Sequence, residues 1–272
     1  MPKGTLIAIG GNEDKRDDMR ILRRTIEAAR GQARTAVVIA AASREPVETS
    51  RPYLRAFEEL GIEHVLPLDL QSRREVEEER TTRRLEEADI VYFTGGDQTR
   101  LADVLRGSAA LDLIRQRYEA GAVVAGTSAG AAAMSQTMIS RGKAEEGLAK
   151  GNVEMDEGLG LLPGVIVDTH FIQRGRFSRL LEAVAQHRDL LGLGIAEDTA
   201  LVVHEGRYFE VVGSDNVIVV DGREISDTNM REARPGDALT VEHAVVHALA
   251  DGYWFDLHGR VFHPPPKREV AA

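Results

Sequence analysis

The chain contains no cysteine, which removes disulfides, thiolate metal sites and a cysteine nucleophile together. Any covalent nucleophile is therefore not sulfur. Basic residues are outnumbered, 34 Lys and Arg against 44 Asp and Glu, for a formal charge of −10. That balance argues against a general binder of phosphate backbones, which needs a basic face. Apolar runs never reach the ~18 residues that span a bilayer. Leu6–Ile9 is too short for a secretory core, and acidic residues follow it at once. Linkers rich in Pro or Ser, internal repeats and low-complexity blocks are also missing. These absences lead to the expectation of a soluble cytoplasmic protein folded as one domain over residues 1–272. With 43% hydrophobic residues over 272 positions, the chain can bury a sizeable core.

Short apolar runs alternate with helix-like segments through the first two thirds. Thr5–Ile9 reads as a buried strand ending in Gly10–Gly11. Met19, Leu22, Ile26 and Ala29 then recur at spacings of three and four, the mark of one helix face, and Gly31 is suited to cap that helix. Ala36–Ala41, Val65–Leu68, Asp89–Phe93 and Ala122–Ala125 read as further strands. Pro52 is expected in the first turn of a short helix through Leu60, and Ser72 with Glu75 forms a capping-box signature. This rhythm predicts an α/β fold with a mostly parallel sheet flanked by helices. From Gly192 the texture changes to short β-like runs at Ile195, Leu201–His204, Tyr208–Val212 and Val217–Val220. These predict added antiparallel strands toward the C-terminus at one edge of the same sheet. The tail Pro264–Ala272 reads as frayed.

In an open parallel sheet, ligands bind beyond the carboxyl ends of the strands. Three segments there carry chemistry. Gly126-Thr127-Ser128-Ala129-Gly130 is G-x-S-x-G between a strand and a helix-like run expected over Ala131–Met138. Such a turn exposes the Ser128 hydroxyl as a nucleophile, and the Ala129 amide faces the developing oxyanion. Thr94-Gly95-Gly96-Asp97-Gln98 follows a second strand, with Gly96 as a second oxyanion donor. Asp168-Thr169-His170 closes a third, and His170 is the one histidine at a strand end within a polar cluster, so it is the candidate base. Arg174, Arg176 and Arg179 beside it suggest carboxylate recognition. The orienting acid is expected to be Glu197, at the end of Gly192–Ala196. Glu146, in a segment that reads as an exposed loop with Glu145, is the second choice, because a packed strand holds a carboxylate better than a loop. His243 and His247 lie at i, i+4 but lack the rest of a zinc signature. A serine mechanism calls for no metal or organic cofactor.

Together Gly10-Gly11-Asn12-Glu13, Phe93–Gln98, Gly126–Ala131, Asp168–Arg179 and Ile195–Ala200 resemble the cyanophycinases, in the serine peptidase family that also holds aspartyl dipeptidases. The resemblance spans roughly residues 4 to 220. It implies a class I glutamine-amidotransferase-like fold and an intracellular homodimer. Ser128, His170 and Glu197 match the family's nucleophile, base and acid, and Gln98, Asp168, Gln173, Arg174, Arg176 and Arg179 its substrate pocket. The implied activity is that of a serine exopeptidase acting on cyanophycin, a poly-aspartate backbone with arginine on each side-chain carboxyl. It releases β-aspartyl-arginine through an acyl-enzyme. An aspartyl or isoaspartyl dipeptidase on the same scaffold and a non-catalytic aspartyl-peptide-binding protein are the alternatives. A general α/β-hydrolase esterase fits less well, since the favoured acid follows the histidine and no His-Gly-Gly-Gly segment is present.

Overall fold

The structure is a computed structural model that describes residues 4–29, 33–143 and 147–265. Gly31, Glu145, Glu146 and most of the C-terminal tail lie outside those residues. Five parallel strands form the heart of a nine-stranded sheet. In spatial order they are Thr5–Ile9, Val123–Thr127, Ile90–Phe93, Thr35–Ile39 and His64–Leu68. Successive side chains on a strand point to opposite faces, and here both faces are covered. Leu6 and Ala8 pack in one cluster with Val37, Phe93, Leu101 and Leu111. Ile7 and Ile9 pack in another with Val38, Tyr92, Leu22 and Phe57. That is why these strands read as unbroken apolar runs rather than alternating ones. Helices Arg20–Ala28 and Pro46–Glu59 cover one face, while Glu79–Glu86, Gln98–Leu105 and Ala109–Glu119 cover the other. The fold is α/β, a mostly parallel sheet flanked by helices.

The predicted antiparallel strands divide between two sheets. Thr199–His204 and Tyr208–Gly213 extend the central sheet, followed by Trp254–Asp256 and Val261–His263. Leu191–Ile195 and Val217–Asp221, expected at the same edge, instead join Val165–Asp168 and Val245–Leu249 in a separate four-stranded sheet. Two glycines let this second sheet pack closely. A Cβ at Gly192 would lie 2.7 Å from Val184 Cγ2, and one at Gly194 would lie 2.5 Å from the ring of Phe171. The helix Phe177–Gln186 and Phe171 thus sit directly against the strand.

Two local expectations also shift. The second helix starts at Pro46, not Pro52. Pro46 takes the first helical position, where a missing N–H costs nothing, and leaves Pro52 in the interior, where it forgoes one helical bond. The capping box at Ser72 and Glu75 is present, but the helix it opens is only Arg73–Val76.

Candidate active site

Strand Val123–Thr127 delivers Ser128 to the edge of a cleft. The turn is possible because of small neighbours: a Cβ at Gly126 would lie 2.7 Å from the Gly130 carbonyl, and one at Gly130 would lie 2.5 Å from Phe93 O. Ser128 itself is held at φ 53°, ψ −116°, a conformation that costs a non-glycine residue about 1–3 kcal/mol. Its N–H donates to Ile9 O at 3.0 Å. The helix that follows is shorter than expected, one turn over Ala129–Ala132, and the chain then re-forms as strand Thr137–Gly142. Local polarisation at Ser128 therefore comes from the free amides of a first turn and not from a long helix dipole.

The second sheet supplies the partners of Ser128. His170 follows strand Val165–Asp168, and Glu197 stands two residues beyond strand Leu191–Ile195. Ser128 Oγ lies 2.8 Å from His170 Nε2, and His170 Nδ1 lies 2.7 Å from Glu197 Oε1. A carboxylate only accepts, so Nδ1–H donates to Glu197 and Nε2 accepts from the serine hydroxyl. The hydrogen bond from His170 holds the Glu197 carboxyl below its usual range. Burial lowers the affinity of His170 for a proton, and Arg174 and Arg176 add to that lowering against the pull of Glu197. The imidazole is thereby neutral near pH 7 and able to take a proton. Such a chain can deprotonate the hydroxyl as it attacks a carbonyl carbon.

The surroundings of the chain are tightly specified. Gly10 O accepts from His170 N at 2.8 Å, and Gly11 O accepts from Asp198 N at 2.9 Å. A Cβ at Gly11, where φ is 101°, would lie 2.4 Å from His170 Cε1. Asn12, Ser128, His170 and Asp198 all have positive φ without being glycine. Backbone strain of this kind gathers where surrounding structure over-determines it.

Gly96 and Ala129, the expected oxyanion donors, line the same cleft of about 330 Å³ as Ser128. Gly96 has φ 144°, and a Cβ there would lie 2.2 Å from Ala42 O, so only glycine fits. Gln98, Asp168, Arg174, Arg176 and Arg179 line the cleft as well. Their partners differ. Gln98 Nε2 donates to the carbonyls of Ile139 at 3.0 Å and Ser140 at 2.8 Å. Asp168, almost fully buried, is gripped by both arms of Arg179 and touched by Arg176. Burial lowers the Arg176 guanidinium to about 10, which still leaves it charged at neutral pH. Its buried Nε has no hydrogen-bond partner among the described residues. Arg174 is exposed and lies beside the base. The three arginines are therefore not three equal hooks: one mainly balances Asp168, and the surplus positive charge rests with Arg174 and Arg176.

Gln173, expected in the pocket, does not line the cleft. Its Oε1 accepts from Glu197 N at 3.0 Å and its Nε2 donates to Asp215 at 3.1 Å, so it braces the loop that carries the acid. The adjacent Thr169 lines the cleft instead, together with Arg141. Neither was singled out in the sequence, and a lone threonine or arginine offers no signal. Asn12, which only the family resemblance singles out, donates from Nδ2 to Glu197 Oε2 at 3.0 Å. Glu146, the second choice for the acid, lies outside the described residues. Among those residues no group of three or more His, Cys, Asp or Glu is placed to hold a metal ion, and no helix is long and apolar enough to cross a membrane.

Known proteins share both the sequence and the architecture. A cyanophycinase of Trichormus variabilis is 40% identical over 98% of this chain and 90% of its own length. One of Geminocystis herdmanii is 38% identical over 97% of this chain and 96% of its own. Among solved structures, a peptidase from an acI-B1 Actinobacterium superposes with a TM-score of 0.69 at 21% identity, covering 94% of this chain and 97% of the other. A putative peptidase E protein of Listeria monocytogenes gives 0.52 at 21% identity, covering 78% and 98%. At that identity the two structures speak to the fold alone. The model of peptidase family S51 matches residues 6–211, three quarters of the sequence and every segment just described around Ser128, His170 and Glu197. The chain belongs to peptidase family S51.

Proposed function

We infer that the protein is a serine exopeptidase that degrades cyanophycin, releasing β-aspartyl-arginine. The observation that carries this reading is the continuous hydrogen-bond chain from Ser128 through His170 to Glu197 at the wall of an arginine-lined cleft. Relatives named cyanophycinase at 36–40% identity over nearly the whole chain support the substrate. In the proposed mechanism Ser128 Oγ attacks the scissile carbonyl carbon while its proton passes to His170 Nε2. Amides of Gly96 and Ala129 stabilise the oxyanion. Collapse of the tetrahedral intermediate breaks the C–N bond, and the imidazolium returns the proton to the leaving amine. Water, deprotonated by His170, then clears the acyl-enzyme. Glu197 keeps the proton of the imidazole on Nδ1 and stabilises its charged form.

The guanidinium groups of Arg176 and of the exposed Arg174, both at the cleft wall, are suited to the free carboxylates of an aspartyl chain. Gln98, Asp168 and Arg179 are proposed to complete the pocket, with Arg179 shaping it through Asp168. We further propose a homodimer working in the cytoplasm. Exposed apolar side chains at Ile172, Phe177 and Val246 share one surface groove and offer a face for a second copy; light scattering tests this. For the activity, purified protein is incubated with insoluble cyanophycin and the soluble products are weighed by mass spectrometry. Release of β-Asp-Arg is expected. Activity confined to Asp-X dipeptides would move the protein to the dipeptidase branch.

A further inference from the structure

Glu13 is an acidic side chain beside the site that the mechanism does not use, and it is buried, 2% exposed. Its Oε1 accepts the Tyr92 hydroxyl at 2.7 Å and its Oε2 accepts the Thr127 hydroxyl at 2.7 Å. Lys15 is the nearest cation, with Nζ 3.8 Å from Oε1, but that ammonium donates to the Glu13 main-chain carbonyl. A carboxylate taken out of water costs several kcal/mol unless it is paired and hydrogen-bonded. Two short hydroxyl bonds offset that cost here, and burial together with Glu13 pushes the Tyr92 hydroxyl well up, which keeps it a donor.

What the carboxylate joins is more telling than its burial. Thr127 directly precedes Ser128, whose strained φ of 53° needs support. Tyr92 lies in strand Ile90–Phe93, which leads into the Gly95–Gly96 turn. Glu13 itself ends the Gly10–Glu13 strap. That strap accepts from His170 N through Gly10, packs Gly11 against the imidazole, and holds Glu197 through Asn12. The strand end before Ser128, the strand leading to the Gly95–Gly96 turn and the strap that braces His170 and Glu197 therefore meet at one pair of oxygens. Removing either hydroxyl bond would free the strap to move relative to the nucleophile.

We propose that Glu13 is a positioning residue for the peptidase reaction: its carboxylate clamps the strap that braces His170 and Glu197 to the strand end that carries Ser128. The proposal rests on Ser128 being the nucleophile. It touches no reacting atom, so its removal acts on alignment, and a displacement of about 1 Å at the site costs on the order of 10²-fold in rate.

The test is steady-state kinetics of Glu13→Gln, which keeps the shape but can accept only one of the two hydroxyls. Turnover is counted per active site by titration with a serine-directed phosphonate, with circular dichroism and melting temperature alongside. The expected result is kcat lower by about 10²-fold with KM nearly unchanged, and phosphonate inactivation slowed by a similar factor. Thr127→Val, which removes the bond to Glu13 Oε2 and leaves the Tyr92 bond to Oε1 in place, should show the same split even if Glu13→Gln folds poorly. A lowered melting temperature with wild-type kcat per folded molecule in both variants overturns the proposal and leaves Glu13 purely structural. Ser128→Ala is run in parallel. Hydrolysis surviving there overturns the nucleophile reading, and the positioning role with it.

Discussion

The two halves of the proposed triad come from regions built in different ways. Ser128 belongs to the parallel sheet, where the pairings of Ile9 with Thr127 and Phe93 with Gly126 bring three strand ends level. Its geometry is local, made by small residues on either side of one serine. His170 and Glu197 belong to the second sheet, levelled by the pairing of Asp168 with Gly194. They reach Ser128 only because that sheet docks against the Gly10–Glu13 strap through Gly10 O and Gly11 O. A nucleophile can thus be specified by five consecutive residues, whereas a base and its acid depend on how two sheets meet. If these three residues are the triad, catalytic accuracy rests on that seam.

Changes on either side of the seam separate the two contributions. Ser128→Ala should have the largest effect, a loss of kcat of at least about 10⁴-fold with the circular dichroism spectrum unchanged. Turnover within tenfold of wild type would show that the local half is not the nucleophile. On the other side, Glu197→Gln keeps the shape but loses control of the tautomer, and kcat should fall by about 10³–10⁴-fold. Gly11→Ala probes the seam itself, because the added methyl would collide with the imidazole. A drop of roughly 10²-fold with Ser128 still in its turn is the expected outcome, read in kcat at saturating substrate.

The smallest effect is on pH dependence. The free enzyme needs neutral His170, so kcat/KM falls as pH drops through its proton affinity. Since burial and the arginines lower that affinity, the midpoint of the acid limb lies below the ordinary imidazole value of 6.5. Arg174→Ala removes one lowering charge and should move the limb to higher pH, less so in high salt because Arg174 is exposed. A limb that moves to lower pH would contradict the placement of Arg174 beside the base.

The contrast also explains what could be read from the sequence. Central strands, the glycine turn at Ser128 and the capping box at Ser72 are decided within a few residues, and each is visible as a local pattern. His170 and Glu197 were reachable because each follows an apolar run, and strand ends are where loops converge. Strand pairing was not visible. Leu191–Ile195 reads like Leu201–His204, and nothing in an apolar run says which sheet it joins. Proline preference pointed to Pro52 because it takes no account of a competitor at Pro46. Glu13 sits in a segment singled out only by the family resemblance, and Gln173 in one assigned by it to the substrate pocket. Their true partners, Tyr92, Thr127, Asp215 and the Glu197 amide, are 79, 114, 42 and 24 residues away.

The central claim is that Ser128, activated across the seam by His170 and Glu197, is the nucleophile. Labelling the wild type, His170→Ala and Glu197→Gln proteins with a serine-directed fluorophosphonate, followed by peptide mapping, tests it most directly. One adduct on Ser128 is expected in the wild type, forming at least about 10²-fold more slowly when either partner is changed. An adduct on another serine, or labelling of Ser128 at the wild-type rate in both variants, would contradict it.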